Sequence, residues 1–299
     1  MIAHAIAAPT TPTRIKWDIL AGITIVHLGA LLALFHFSWS AFWVCIAMQF
    51  VTGLGVTVCY HRLLTHRSFQ VPKWLEYLLT LCGVLALQGG PLKWVSTHRV
   101  HHAFADRPND PHSPNKGFWW AHMLWLFTWV DQLDMPEKFT KFVPDLARDP
   151  IQRFLEKAST MLNIAFGVLL FALGGWAMLA WAFFARLVFV YHGTWLVNSA
   201  SHLWGYQSYN TNEGSRNNWW VALVSYGEGW HNNHHAYPHS AAHGLRWWEF
   251  DITYLVIRFL AACGLATRIR LPQGNPAQLP SIKPVVVPKI KLPVPSLSV

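Results

Sequence analysis

Long apolar runs constrain this sequence more than any other feature. Two runs come first with almost nothing between them, and a later stretch is long enough for two more helices that turn at Gly174-Gly175. A helix needs about 20 apolar residues to cross a bilayer. The sequence therefore predicts an all-α integral membrane protein with four transmembrane helices in two hairpins, at about residues 17–37, 39–60, 161–179 and 181–202.

The composition agrees with a membrane location. Hydrophobic residues make up 53% of the chain and charged residues only 12%, whereas about a quarter of a soluble domain is charged. Lys and Arg together number 23, against 14 for Asp and Glu. In a membrane protein this excess of basic residues indicates cytoplasmic loops that contact anionic lipid headgroups, rather than binding of nucleic acid.

The basic residues are concentrated on one side of the predicted hairpins. Two precede the first span, twelve lie between Arg62 and Lys157, and eight follow Asn212, while both hairpin tips have none. The positive-inside rule then places both termini and the middle segment in the cytoplasm. Three shorter apolar runs, at residues 74–87, 118–130 and 252–266, are predicted to be buried or interfacial helices of a cytoplasmic cap. Arg186 needs either a partner or an interfacial position.

The chain divides into three parts by composition. A cytoplasmic segment at 1–16 precedes a single membrane domain at 17–271. Residues 272–299 contain prolines at nearly every fourth position, which predicts a flexible, extended cytoplasmic tail. The cysteines lie in apolar runs without a C-x-x-C pair and are predicted to be small buried hydrophobes: Cys45, Cys59, Cys82 and Cys263.

Nine of the seventeen histidines, with one asparagine, fall in four clusters. These are His61/His66, His98/His101/His102, Asn198/His202 and His231/His234/His235. Residues at i, i+3 and i+4 share one face of an α-helix, so each H-x-x-H-H cluster can converge, and Asn198 lies one turn before His202. His61 and His66 would point to different faces of an ideal helix, which predicts a helix break near Thr65.

Such a density of imidazoles predicts metal binding. Buried together without a metal, the rings would either charge and repel or leave ring nitrogens unsatisfied. Nine exceed what one ion can bind, so two metals are predicted; imidazole alone does not distinguish iron, zinc and copper. A ferritin-like carboxylate site needs two E-x-x-H motifs, and only Glu228 with His231 forms one. Glu228 is therefore predicted to support the site or the fold rather than to bind metal.

These motifs resemble those of membrane fatty acid desaturases of the stearoyl-CoA desaturase type, most closely the bacterial and cyanobacterial Δ9 members. The resemblance extends over about residues 17–271. It includes the box order HxxxxH, HxxHH, NxxxH, HxxHH, together with Cys59-Tyr60-His61-Arg62, Asn109-Asp110-Pro111-His112 and Gly227-Glu228-Gly229-Trp230-His231.

The resemblance implies an oxidoreductase with two non-haem irons that uses O2 to insert a cis double bond, at Δ9, into a long acyl chain. No catalytic residue is implied beyond the metal ligands. One iron would be held by His61, His66, His98, His102 and His234, and the other by His101, His202, His231, His235 and, through a water, Asn198. Gln88, Trp94 and Thr194 would shape the kink of the substrate tunnel.

Two departures from the animal members bear on the partners. Ser96 and Thr97 stand where those members have the Arg-Asp that contacts coenzyme A, which favours an acyl lipid over an acyl-CoA. No fused cytochrome b5 domain is present, so a separate donor such as ferredoxin or cytochrome b5 is expected at the basic face. A membrane hydroxylase or ketolase is the alternative enzyme; a metal transporter or sensor is the alternative outside enzymes.

The remaining histidines carry weaker predictions. His112 and His122 are expected to support the metal site or the fold, and His239 and His243 could do either. The others are expected to be lone polar residues at interfaces or in helix packing: His4, His27, His36 and His192.

Overall fold

The computed structural model describes residues 14–273, which form helices and four isolated β-bridges. The α-helices are α1 (Trp17–Leu31), α2 (Trp39–Leu54), α3 (Lys73–Val84), α4 (Pro91–Phe104), α5 (Phe118–His122), α6 (Asp131–Asp134), α7 (Pro136–Phe139), α8 (Pro144–Ala147), α9 (Pro150–Met178), α10 (Arg186–Leu203), α11 (Trp219–Val224), α12 (His231–Ala236) and α13 (Ile252–Ala262). Segments of 3-10 helix lie at Leu32–Leu34, Pro114–Lys116, Leu124–Phe127 and Thr140–Phe142, and π-helix lies at Gly55–Thr65 and Leu179–Ala185. Most of the predicted tail and most of the predicted N-terminal segment, including His4, lie outside the described residues.

Three helical stretches are long and apolar enough to cross a membrane: Trp17–Leu34, Trp39–Thr65 and Pro150–Leu203. The third has 54 residues, which as one straight helix would extend about 80 Å, far more than the roughly 30 Å of a hydrocarbon core. The short apolar run after residue 252 is also helical, as α13, and is too short to span. The all-helical, membrane-type fold is confirmed.

The long third stretch folds back on itself at the predicted glycine pair. Gly174 (φ −157°, ψ 21°) and Gly175 (φ 60°, ψ −150°) leave the helical region, and the conformation of Gly175 is essentially restricted to glycine. The Arg186 guanidinium then lies 5.8 Å from the Phe166 ring, although twenty residues of straight helix would separate them by about 30 Å. The turn comes a few residues before the boundary predicted between 179 and 181.

The second apolar stretch continues past α2 as π-helix. The amide of His66 donates to the carbonyl of His61 over 3.1 Å, five residues back, which is the hydrogen bond that defines π-helix. This geometry brings the two rings to within 4.8 Å of each other. The segment ends at Thr65 and leaves His66 just past its end, which confirms the predicted break near Thr65. The π-helical geometry that precedes this break was not predicted.

Packing of the π-helical segment against α3 and α4 positions His61 and His66. Gly55 lets the backbones touch: a Cβ there would lie 2.3 Å from the Gly83 nitrogen. Val58, Val84 and Val95 are fully buried in the cluster that joins these elements. This close packing fixes the position of the π-helical segment relative to α4, and both elements carry histidines.

Two sequence predictions about single residues are now resolved. Arg186 is fully buried and donates to the Thr52 hydroxyl (3.2 Å) and the Leu85 carbonyl (2.8 Å), so it has partners and is not interfacial. Cys45 and Cys59 are buried as predicted, but Cys82 is only half-buried and Cys263 is exposed. The prediction was wrong for Cys263 because it lies just beyond the end of the amphipathic helix α13.

Candidate metal centre

Five histidines from three elements form the first group, which we call group one. Their ligand nitrogens all lie within 4.8 Å of one another. The π-helical segment and its end supply two, α4 supplies two and α12 supplies the last; the members are His61, His66, His98, His102 and His234. The Nε2 atoms of His234 and His102 are 2.9 Å apart, and those of His61 and His234 are 3.2 Å apart.

Four histidines form group two, with the same convergence of ligand nitrogens: His101, His202, His231 and His235. The Nε2 atoms of His231 and His202 are 3.1 Å apart, and those of His101 and His235 are 3.3 Å apart. Each H-x-x-H-H cluster is thus divided between the groups, and does not converge on one point as the spacing alone allowed. The division matches the ligand sets implied by the resemblance.

The chemistry of these nitrogens fits metal ions. A neutral imidazole has one N–H and one lone pair, so facing Nε2 atoms cannot all hydrogen-bond to one another. The Nε2 of His66 is buried without a hydrogen-bond partner. Burial, followed by the neighbouring imidazoles, holds the pKa of His66, His98 and His234 well below the usual range, and the neutral ring is the form that binds a metal.

Carboxylates lie behind the histidines, on the Nδ1 side. Asp110 Oδ2 accepts from His101 Nδ1 over 3.0 Å, and Asp106 Oδ2 accepts from His202 Nδ1 over 3.3 Å. Such a bond fixes the tautomer and presents the Nε2 lone pair to a metal. In Asp110, burial by itself would raise the pKa, but His101 and His112 outweigh it and keep the pKa well below its usual value.

Glu228 performs this role for group one. Its Oε2 accepts from His61 Nδ1 over 2.6 Å, and its Oε1 accepts two bonds from Arg62, at 2.9 and 3.1 Å. Arg62 also donates to both oxygens of Asp251. Burial would raise the pKa of Glu228, but Arg62, His243 and His61 outweigh it and hold the pKa well below its usual range. These contacts agree with the supporting role predicted for Glu228.

An apolar cavity adjoins both groups. His61 and His98 of group one and His231 of group two line it, together with Asn198, which is half-buried. Asn198 thus lines the same cavity as His231 of group two. Both groups therefore contribute residues to one largely apolar space, and an apolar lining of this kind favours hydrocarbon.

The three residues predicted to shape a tunnel kink meet beside this cavity. Trp94 Nε1 donates to Gln88 Oε1 (3.3 Å), and Gln88 Nε2 donates to Thr194 Oγ1 (2.9 Å). Trp94 and Thr194 line the cavity, and Trp94 stacks on His98 at 5.2 Å between ring centroids. The glutamine joins two walls that come from distant parts of the sequence.

The sequence model of the fatty acid desaturase family matches residues 8–265. The chain belongs to the fatty acid desaturase family. It is an oxidoreductase that introduces double bonds into fatty acyl chains.

Curated desaturases match along most of their length. The sn-1 stearoyl-lipid 9-desaturase of Anabaena variabilis is 50% identical over 268 residues, which cover 88% of this chain and 97% of that protein. The enzyme of the same name from Synechocystis is 50% identical over 260 residues, covering 86% and 80%. The icosanoyl-CoA 5-desaturase of Limnanthes douglasii is 46% identical over 266 residues, covering 87% and 75%.

Sequence reasoning missed part of this desaturase's site. Asp106 and Glu213 were not predicted, and Asp110 was noted only as part of a matching motif. Asp106 follows His102 by only four residues, and this closeness to a histidine cluster is a signal that the sequence offers. Glu213 lies in a loop far from the clusters in sequence, so no such signal marks it. His243 is fully buried, with its Nδ1 3.0 Å from Glu228 Oε2. That distance places the His243 ring beside the carboxylate that accepts from His61.

Three of the other histidines form a chain rather than standing alone. His27 Nε2 lies 3.2 Å from His192 Nε2, and His192 Nδ1 lies 3.0 Å from His122 Nε2. His122 Nδ1 lies 2.9 Å from the Ser199 hydroxyl. The prediction of lone polar residues was therefore wrong for His27 and His192, because α1, α10 and α5 pack together at this point. Polar groups buried among apolar helices require such partners.

Two further predicted supports lie close to the histidine groups. The His112 ring centroid lies 4.3 Å from that of His101, and the His239 Nδ1 donates to the His66 carbonyl over 2.9 Å. Both contacts are to histidines of the two groups, but neither residue joins the converging nitrogens.

Proposed function

We propose that this chain is a Δ9 acyl-lipid desaturase that acts on a saturated chain still esterified to a membrane lipid. The observation that carries the proposal is the convergence of nine histidines into two groups beside one apolar cavity, which is lined by His61, His98 and His231. The overall change is CH2–CH2 + O2 + 2 electrons + 2 protons giving cis CH=CH + 2 H2O. The relatives named above act at position 9 of stearoyl lipids in two cases and on an acyl-CoA in the third.

The residues fit a pair of iron ions. Group one would hold one and group two the other, with Asn198 reaching the second through a water. Bound iron would supply activation of O2 and removal of two hydrogens from adjacent carbons. The protein orients its ligands through Asp110, Asp106 and Glu228, and apolar walls exclude water from the reacting carbons.

Lipid rather than coenzyme A is favoured by the residues near the cavity. Ser96 is fully buried, and the Thr97 hydroxyl donates to the Lys93 carbonyl of its own helix over 2.9 Å. Neither offers a charge to a nucleotide. Among the described residues that line the cavity there is no Lys or Arg, whereas a phosphate-bearing carrier calls for such groups.

The proposed topology has four spans, because the third apolar stretch reverses at Gly174-Gly175. Two hairpins then place both termini, the cap helices and the histidine groups on the basic, cytoplasmic side. Electrons would come from a separate acidic carrier, such as ferredoxin or cytochrome b5, drawn to that side.

The test is expression in a desaturase-deficient host, followed by fatty acid profiling resolved by lipid class. We expect new cis-Δ9 chains in glycerolipids at a time when the acyl-CoA pool is still saturated. Double bonds that appear first in acyl-CoA would contradict the lipid assignment. Hydroxylated chains without double bonds would favour the hydroxylase alternative.

A further inference from the structure

The cavity beside the histidine groups opens sideways. Of the residues that line it, Phe189 and Val224 are the exposed ones, at 62% and 45%. The same cavity reaches His61 and His231, which are buried. One continuous space therefore joins the outer apolar surface to both histidine groups.

The opening lies within the third apolar stretch, well before the histidine at its end. Phe189 precedes His202 by thirteen residues of α10, about 20 Å along the helix axis. The Val224 carbonyl lies 3.2 Å from where a Cβ on Gly193 would be, and Gly193 precedes His202 by nine residues, about 13 Å. The end of α11 thus reaches well below the histidine groups, into the apolar zone.

The surface around the opening suits lipid chains. Its exposed neighbours are apolar: Phe50 is 46% exposed, Leu223 61% and Trp219 68%. Glu228 is the only acidic residue among the described residues lining the cavity, and Arg62 neutralises it from behind. A rim of this kind favours hydrocarbon over water or a charged carrier.

Tyr226 closes the α2 side of the same cavity. A Cβ on Gly53 would come 2.2 Å from the Tyr226 ring, so glycine is required there for the ring to fit. The Tyr226 hydroxyl donates to the Gln49 carbonyl over 3.1 Å, and its ring lies 5.5 Å from that of Phe50. With that wall shut, the open side of the cavity is the side on which Phe189 of α10 and Val224 at the end of α11 are exposed, and we call this side the gap. The two helices touch beside it, where Gly193 meets the Val224 carbonyl.

We infer that an acyl chain enters this gap laterally from the bilayer, between Phe189 and Val224, while its ester end stays attached to the lipid. The inference rests on the proposed function, since it assumes a lipid-bound substrate. A lateral route keeps the methylenes in an apolar environment throughout, whereas entry from the aqueous side would expose them to water.

The test uses Val224→Trp, which places bulk at the exposed rim. Val168→Trp is the matched control, because Val168 is 64% exposed on α9 and does not line the cavity. Purified protein in phosphatidylcholine vesicles is irradiated with a stearoyl phosphatidylcholine that carries a mid-chain diazirine, and labelled residues are mapped by mass spectrometry. Labelling requires neither iron nor turnover.

We expect wild type and Val168→Trp to be labelled at the buried cavity residues Val190 and Val197, and Val224→Trp to lose that labelling while keeping it on the lipid-facing surface of α9. Phe189→Trp, on the opposite side of the gap, should behave like Val224→Trp and serves if that variant fails to fold. Full cavity labelling in folded rim variants would overturn the inference. The proposed function fails separately, if wild type desaturates stearoyl-CoA and leaves lipid-bound chains saturated.

Discussion

The two histidine groups both take ligands from α4 and α12, but the ligands of each group are held in a different way. In group one, among the described residues, only His61 has a carboxylate at hydrogen-bonding distance, and that carboxylate is clamped by the buried Arg62. In group two, acids on loops support the ligands individually, as Asp110 does for His101 and Asp106 for His202. Group one therefore depends on a single charged network and on packing, and group two on several separate bonds.

The largest effect should come from removing one ligand of group two. We expect His101→Ala to abolish desaturation and to lower bound iron from about two to about one per chain, since group one keeps its five histidines. Metal analysis of purified protein, alongside product analysis, measures both. His36→Ala is the control, because His36 belongs to neither group. Full activity of His101→Ala would count strongly against the di-iron assignment.

The clamp of group one should dominate stability. Arg62 is fully buried between Glu228 and Asp251, and removing one partner of a buried ion pair costs about 3–5 kcal/mol. We expect Arg62→Met to lower the free energy of unfolding by that amount, as measured by denaturant titration in mixed micelles.

A neighbouring arginine provides the control for that titration. The Arg67 side chain is 60% exposed and pairs with Asp145, so Arg67→Gln should change the free energy of unfolding by less than about 1 kcal/mol. Equal effects of the two substitutions would show that the buried network is not what holds group one.

The two kinds of support also explain what the sequence could predict. The starts of the first two spans, the glycine turn and the nine clustered histidines follow from hydropathy, backbone chemistry and spacing within a few residues. The π-helical geometry that unites His61 with His66 depends on packing against α3 and α4, and the contact of Glu213 with His235 joins a loop to α12. Neither the π-helical geometry nor this loop contact produces a periodic pattern that could be recognised in a single sequence.

The smallest predicted effect comes from comparing two acids near group two, Asp110 and Glu213, by how much each strengthens iron binding. Asp110 is buried and accepts from His101 at 3.0 Å, so Asp110→Asn should weaken iron binding in group two about 10–100-fold. Glu213 lies 3.7 Å from His235 and already accepts from the amide and hydroxyl of Ser215. Glu213→Gln should therefore have a clearly smaller effect, measured by chelator competition at equilibrium. A larger loss from Glu213→Gln than from Asp110→Asn would mean that charge near group two, rather than a hydrogen bond to each ligand, determines how tightly it holds its metal.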